Sequence, residues 1–248
     1  MRNEAMTIGR EQAHLWACEP DELARTGHLS RYVGILSPAE RDRMQRFVFE
    51  RDRLAYLAAH GLARMALSSC VPSVSPEVWE FNATERGKPE IAAPLVRPVL
   101  RFNISHTCGL VACLVVAEAD CGVDVEMFDR PTDVTRLAKN VLSPGEYWRL
   151  STFPAPERAK IFFRYWTLKE AYVKARGGGI SLPLDKCTFE FHREGIRVWF
   201  DSLLDDNAAS WQFAQWSPTE KHLLAVALRG GPRADYRIVS HRGPPDRT

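Results

Sequence analysis

Two short stretches of this chain carry the residues best suited to chemistry. The segment GVDVE at 122–126 alternates apolar and acidic residues as a strand does, so Asp124 and Glu126 are expected on one side of a sheet. The segment WTLKEAYVK at 166–174 spaces Trp166, Glu170 and Lys174 four apart, on one face of a helix. Carboxylates beside lysines are typical of a hard-cation site next to an anionic ligand.

Each of these acids also has a plainer explanation. Asp124 and Glu126 fit an edge strand with its polar face in water, and Glu170 fits an ordinary helix residue paired with Lys174. Together, the three carboxylates would suit an octahedral Mg²⁺ ion completed by water and phosphate oxygens. No cluster of histidines and cysteines accompanies them, which argues against zinc.

Other polar residues are open to two interpretations as well. Ser105 and His106 lie at the end of a strand that starts at Val99, just before Cys108 and Gly109, where they fit either an ordinary turn or a phosphate cradle. Lys169 fits either a surface ion pair or a phosphate contact. Glu146 is the third residue of a helix that starts after Ser143, so the spacing favours a capping box over the alternative role of general base.

Bulk composition excludes several classes of protein. The chain has 248 residues, 45% hydrophobic and 26% charged, as in a soluble globular protein. A formal net charge of +2 gives no case for nucleic acid binding. The six cysteines form no CxxC pair, which favours free thiols in a reducing cytosol over disulfides. The longest apolar run is too short to cross a bilayer and the start is not a signal peptide, so we expect a cytoplasmic protein without a membrane partner.

The order of elements indicates an internal duplication. Two capping boxes, Ser37–Glu40 and Ser143–Glu146, each start a helical region that gives way to strand-like sequence. A strand also precedes each helical region. The sequence therefore predicts two α+β halves at 1–117 and 118–230, followed by a loose tail at 231–248 that is rich in Arg, Pro and Gly.

Four segments, taken in order, resemble the 4′-phosphopantetheinyl transferases of the surfactin-synthetase-activating (Sfp) type. These segments are GKP at 87–89, FNISH at 102–106, GVDVE at 122–126 and WTLKEAYVKARGGGISLPL at 166–184. The resemblance implies two similar α+β halves related by pseudo-twofold symmetry, with the active site in the cleft between them. It also implies a monomer, because one chain supplies both halves.

The resemblance also implies roles for particular residues. Mg²⁺ would be held by Asp124, Glu126 and Glu170. The residues implied to bind coenzyme A are Arg43, Arg86, Lys88, Ser105, His106, Asp124, Lys169 and Lys174. Those implied in catalysis are Glu146, Glu170 and Lys174, with Glu146 as base or water-positioning group.

The implied reaction moves the 4′-phosphopantetheine arm of coenzyme A to a serine of an apo acyl or peptidyl carrier protein and releases adenosine 3′,5′-bisphosphate. Such a carrier would serve fatty acid, polyketide or nonribosomal peptide synthesis. Two alternatives remain open: another coenzyme A-dependent transferase, such as an acyltransferase, and a non-catalytic module that binds a carrier or a nucleotide.

Overall fold

The chain forms two compact units that both combine helices with sheet. The computed structural model describes residues 8–84, 87–130, 132–177, 182–231 and 235–245. Unit 1 comprises Met1–Cys121 with Tyr236–Thr248, and unit 2 comprises Gly122–Asp235. The α+β class is as predicted. The observed division falls four residues after the predicted end of the first half at 117, just inside a strand.

Unit 1 places a long helix on a four-stranded sheet, whose strands lie in the order β11 (Arg237–Arg242), β1 (Gln12–Cys18), β5 (Leu110–Ala117) and β4 (Leu100–Thr107). Its central strand β5 has the sequence LVACLVVA and is buried along its whole length, as expected of a strand paired on both sides and covered by a helix. The elements, in chain order, are β1 (Gln12–Cys18), α1 (Pro20–Arg25), α2 (His28–Ile35), α3 (Pro38–Gln45), α4 (Glu50–Cys70), β2 (Glu80–Ala83), β3 (Pro89–Ala93), β4 (Leu100–Thr107), β5 (Leu110–Ala117) and β11 (Arg237–Arg242).

Unit 2 packs its longest helix against a three-stranded sheet, whose strands lie in the order β6 (Asp120–Met127), β10 (His222–Arg229) and β9 (Trp211–Trp216). A separate hairpin joins β7 (Cys187–His192) and β8 (Gly195–Phe200). The core between helix and sheet is aromatic-rich, with Phe162, Tyr172 and Phe189 buried in it. The elements are β6 (Asp120–Met127), α5 (Val134–Val141), α6 (Pro144–Ser151), α7 (Ala155–Arg176), β7 (Cys187–His192), β8 (Gly195–Phe200), β9 (Trp211–Trp216) and β10 (His222–Arg229).

In both units, the glutamate of the capping box pairs with a buried cation on the long helix. In unit 1 the capping glutamate Glu40 pairs with Arg64 of α4 at 2.7 Å. Arg64 also donates to the main-chain carbonyls of Pro76 and Trp79, at the two ends of a short 3₁₀ turn before β2. Burial alone would raise the pKa of Glu40, but hydrogen bonds from His60 and the Ser37 backbone, with the charge of Arg64, lower it to about 2.

In unit 2 the capping glutamate Glu146 pairs with Lys169 of α7 at 2.8 Å. Lys169 also donates to the carbonyls of Leu184 and Cys187, at the two ends of another 3₁₀ turn before β7. A capping carboxylate, a buried cation on the following long helix and a tethered turn therefore repeat in the same order, which supports the predicted duplication. The pseudo-twofold relation and the cleft stay predictions.

The prediction of a loose tail is wrong for part of residues 231–248. Arg237–Arg242 form β11, which pairs in parallel with β1 over six positions. His241 stacks on Trp16 with ring centroids 4.5 Å apart, and its Nε2 lies 3.0 Å from Nδ1 of His14. The Arg, Pro and Gly residues around this segment are typical of a loop, so composition did not predict a short strand that depends on pairing with β1.

No helix among the described residues combines the length and the hydropathy needed to cross a membrane.

Candidate active site

The site residues of unit 2 depend on a close approach between β6 and α7. A Cβ on Gly122 would lie 2.0 Å from the carbonyl oxygen of Ala171 and 2.5 Å from the amide nitrogen of Ala175. Any larger residue would therefore push the strand and the helix apart. Ala171 and Ala175 directly follow Glu170 and Lys174, so this contact fixes where the helix presents those two side chains relative to β6.

Asp124 and Lys174 meet across this contact. The Lys174 ammonium donates to Oδ1 of Asp124 at 2.6 Å. The Asp124 side chain is almost buried, whereas that of Lys174 is 28% exposed. Because Lys174 reaches solvent while it pairs with the buried Asp124, its ammonium is able to meet an anionic ligand.

Glu126 lies two residues further along the strand and is held by two different donors. The indole Nε1 of Trp166 donates to Oε1 at 2.9 Å, and the Arg130 guanidinium lies 3.1 Å from Oε2. Trp166 shares a face of α7 with Glu170 and Lys174, as the spacing of four predicted. The residues of the two sequence segments are therefore brought together on one side of unit 2.

The carboxylates repel one another. Burial raises the pKa of Glu126 above its ordinary 4.5, and the neighbouring Asp124 raises it further. The pKa of Glu170 is raised for the same two reasons in the same order, with a further contribution from Glu126. Burial and the neighbouring carboxylates both make the negative charges of this region unfavourable, and a bound cation would offset them.

The three acids do not form a ready-made ligand set. Within the described ranges, no group of three or more His, Cys, Asp or Glu residues is arranged to hold a metal ion. The donor type fits Mg²⁺, since all three side chains offer hard carboxylate oxygens. In the positions found here, however, Asp124 pairs with Lys174 and Glu126 pairs with Arg130, so metal binding requires these two cationic contacts to give way.

The prediction that Lys169 contacts phosphates is wrong for this structure. Its side chain is 0% exposed, and its ammonium is bound by Glu146 and by the carbonyls of Leu184 and Cys187. On α7, Lys169 is buried in the core as Leu168 is, whereas the next residue, Glu170, lies near Asp124 and Glu126. The sequence could not distinguish the two directions, because a buried lysine is uncommon unless it is paired.

Glu146 occupies the capping position that its spacing favoured, which confirms that alternative. Its Oε2 accepts from the Ser143 backbone at 2.8 Å, and its Oε1 accepts from the Phe189 backbone at 2.8 Å. The side chain is 1% exposed and pairs with Lys169. The structure therefore contradicts the predicted base role: both oxygens are engaged inside the core and neither reaches solvent, where a substrate serine would arrive.

The remaining predicted residues lie in unit 1. Arg43 lines a cavity of about 610 Å³ together with Ala39, Asp42, Arg46 and Phe47. Lys88 donates to the carbonyl of Cys121 at 3.2 Å. Ser105 and His106 lie near the end of β4, as predicted for the strand from Val99; successive strand residues point to opposite faces, and Ser105 is buried while His106 is exposed. Arg86 lies outside the described residues. The ligand roles of these residues stay predictions.

Sequence reasoning missed Arg130. It lies four residues after Glu126, a spacing that normally brings side chains together only in a helix. Here the chain turns directly after β6, and the guanidinium returns to the carboxylate while lying over the Phe163 ring at 5.2 Å. The spacing within GVDVE indicates no role for Gly122. Its role, which is to let β6 approach α7 closely, follows from the short distances in the structure.

Comparisons with known proteins agree with this arrangement. Residues 120–227 match the family model of the 4′-phosphopantetheinyl transferase superfamily, and residues 23–119 match that of 4′-phosphopantetheinyl transferase, N-terminal. The chain is 35% identical to the 4′-phosphopantetheinyl transferase HetI of Nostoc sp., over 91% of each protein. It belongs to the 4′-phosphopantetheinyl transferase superfamily. The resemblance drawn from four short segments is thereby confirmed.

The chain is also similar to two further phosphopantetheinyl transferases. It is 33% identical to a phosphopantetheinyl transferase of Thraustochytrium sp., over 78% of this chain and 70% of that protein. It is 30% identical to the 4′-phosphopantetheinyl transferase Sfp of Bacillus subtilis, over 66% of this chain and 70% of that protein. The matches extend through both units, so the phosphopantetheinyl transferase is similar to these enzymes well beyond its acidic segment.

Proposed function

We propose that this transferase moves the 4′-phosphopantetheine arm of coenzyme A to a serine hydroxyl of an apo acyl or peptidyl carrier protein. The serine Oγ forms a bond to the phosphorus of the arm, the bond from that phosphorus to the diphosphate bridging oxygen breaks, and adenosine 3′,5′-bisphosphate leaves. The serine proton passes to a base or to water. The observation that carries the proposal is the meeting of Asp124, Lys174 and two further carboxylates on β6 and α7 of a chain from this family.

Phosphoryl transfer needs charge neutralisation and alignment more than covalent help. Lys174 supplies a partly exposed ammonium that can leave Asp124 for a phosphate oxygen. Asp124, Glu126 and Glu170 would hold Mg²⁺, which supplies charge neutralisation on the diphosphate when bound. This assignment rests on the donor type and on the mutual repulsion of the carboxylates.

We propose that a group other than Glu146 accepts the serine proton, because the Glu146 side chain is only 1% exposed. Glu170 is the better candidate, because its carboxylate lies near Asp124 and Lys174 at the acidic site, whereas Glu146 is enclosed in the core. It would accept the serine proton directly or through one water molecule.

We further propose that the enzyme acts as a monomer in the cytoplasm. All six cysteines are free and five of them are buried, which suits a reducing compartment. Burial raises the pKa of the Cys121 thiol to about 12, so this cysteine behaves as a packing residue.

The test is an assay of the full chain with coenzyme A, Mg²⁺ and a panel of apo carrier proteins, read by intact-protein mass spectrometry. We expect one carrier to gain the mass of the whole phosphopantetheine arm, and a carrier with its serine changed to alanine to gain nothing. Acyl transfer from acyl-coenzyme A without arm transfer would indicate an acyltransferase. Binding without any mass gain across the panel would overturn the proposal in favour of a non-catalytic module.

A further inference from the structure

The contacts of Glu126 single out a residue that the proposed function does not use. Both oxygens of this carboxylate are engaged, Oε1 by the indole of Trp166 and Oε2 by the guanidinium of Arg130. The Glu126 side chain is 14% exposed and that of Arg130 is 41% exposed. A nearly buried acid is thus neutralised from the solvent side by a cation on the turn that follows its own strand.

The two donors differ in what they can do. Trp166 is neutral and is fixed by α7, where its ring packs 5.8 Å from that of Phe162. Its hydrogen bond orients the carboxylate without neutralising it. Arg130 brings a full charge on a long, partly exposed side chain, whose guanidinium rests on the face of Phe163 at 5.2 Å. Such a side chain can swing into solvent at small cost, since exposed ion pairs are weak.

The geometry points to Arg130 as an internal counter-ion that competes with the metal for Glu126 and so sets how readily the site takes up a divalent cation. This inference rests on the proposed function only in taking Glu126 as a metal ligand. Arg130 holds Oε2 in the metal-free enzyme and must release it when the cation binds. Trp166 keeps Oε1 in place in both states, so the carboxylate stays oriented while its charge partner changes.

The expected effect follows from the exposure of the pair. An ion pair of this exposure is worth about 0.2–1 kcal/mol, so removing it should tighten Mg²⁺ binding about 1.4- to fivefold. Removing the positive charge also ends its repulsion of the arriving cation, which acts in the same direction. Both contributions should shrink at high ionic strength because the guanidinium is exposed.

The experiment is isothermal titration of Mg²⁺ into the metal-stripped full chain, with and without coenzyme A and without a carrier, so that no transfer occurs. Arg130→Gln is compared with Arg130→Lys, which keeps the charge, and with Arg193→Gln, which removes an exposed arginine from the β7-β8 turn. We expect tighter binding for Arg130→Gln alone. Thermal unfolding of each variant without metal verifies that the fold is kept.

Three results would overturn the inference: unchanged or weaker Mg²⁺ binding by Arg130→Gln, equal tightening by Arg193→Gln, and no Mg²⁺ binding by the unmodified chain in either condition. The mass-spectrometric transfer assay separates this failure from that of the proposed function. Mg²⁺-dependent arm transfer by the unmodified chain, together with an unaltered affinity in Arg130→Gln, leaves the proposed function standing and removes only the role of Arg130.

Discussion

Glu146→Gln is the variant that best separates a structural carboxylate from a catalytic one. In the unmodified chain Glu146 accepts from the backbones of Ser143 and Phe189 and pairs with Lys169, with all three contacts at 2.8 Å. A glutamine has one acceptor oxygen and presents an amide N–H₂ to a site built from donors. The Lys169 ammonium, 0% exposed, would then lose its charged partner while it keeps the main-chain carbonyls of Leu184 and Cys187.

Breaking one side of a buried ion pair costs about 3–5 kcal/mol, because the other charge stays buried without compensation. For a chain of this length each kcal/mol lowers the midpoint of thermal unfolding by about 2–4 °C, so we expect a loss of roughly 6–20 °C. Glu40→Gln is the matched control in unit 1, since Glu40 holds the buried Arg64 in the same way. A similar loss is expected there.

Thermal unfolding is to be measured beside arm transfer to an apo carrier at a temperature where each variant is folded. We expect Glu146→Gln to lose stability and to keep transfer activity when folded. The double variant Glu146→Leu with Lys169→Met removes both charges and should be less destabilised than the sum of the single changes. Unchanged stability with abolished transfer in Glu146→Gln, or a stable double variant without transfer, would refute the structural role.

Further predictions concern the acids, the glycine contact and the histidine pair. Asp124→Asn should lower transfer about 10²–10³-fold with an unchanged circular dichroism spectrum; full activity would remove Asp124 from the site. Gly122→Ala should destabilise the fold and reduce transfer together, since its Cβ would lie 2.0 Å from a main-chain oxygen; an unchanged urea midpoint would contradict this. Burial, and then Asp124, raise the pKa of Glu170 above 4.5, so the free energy of unfolding should fall as pH rises from 4.5 through that raised value, and Glu170→Gln should flatten this part of the urea-unfolding profile. Burial, and then His241, lower the pKa of His14 to about 4, so the neutral pair stabilises β11 above pH 6.5 and this stability is lost as pH falls toward 4; amide hydrogen exchange in β11 should accelerate over that range, and a flat rate would rule it out.

The acidic site could be predicted from the sequence because its spacing depends only on local geometry. A two-residue repeat in β6 and a four-residue repeat in α7 place side chains on one face whatever the rest of the chain does. The capping boxes at Ser37 and Ser143 could also be predicted, since each is defined by residues within a stretch of four.

What the sequence could not provide were the contacts between distant segments. Lys169 and Lys174 look alike in the sequence, yet one is buried against Glu146 and the other reaches solvent beside Asp124. The direction of a lysine on a helix depends on which side the sheet covers, and that is a tertiary property. Arg130 was missed for the same reason: its partner is reached through a turn, whose path no repeat in the sequence encodes.

The position of β11 has a consequence for how this protein is made. Unit 1 is assembled from two stretches of chain separated by the whole of unit 2. During synthesis the outer edge of β1 therefore stays bare until residues 237–242 have left the ribosome, and a bare strand edge is a template for pairing with other chains. The half that is translated first is thus the half that is completed last.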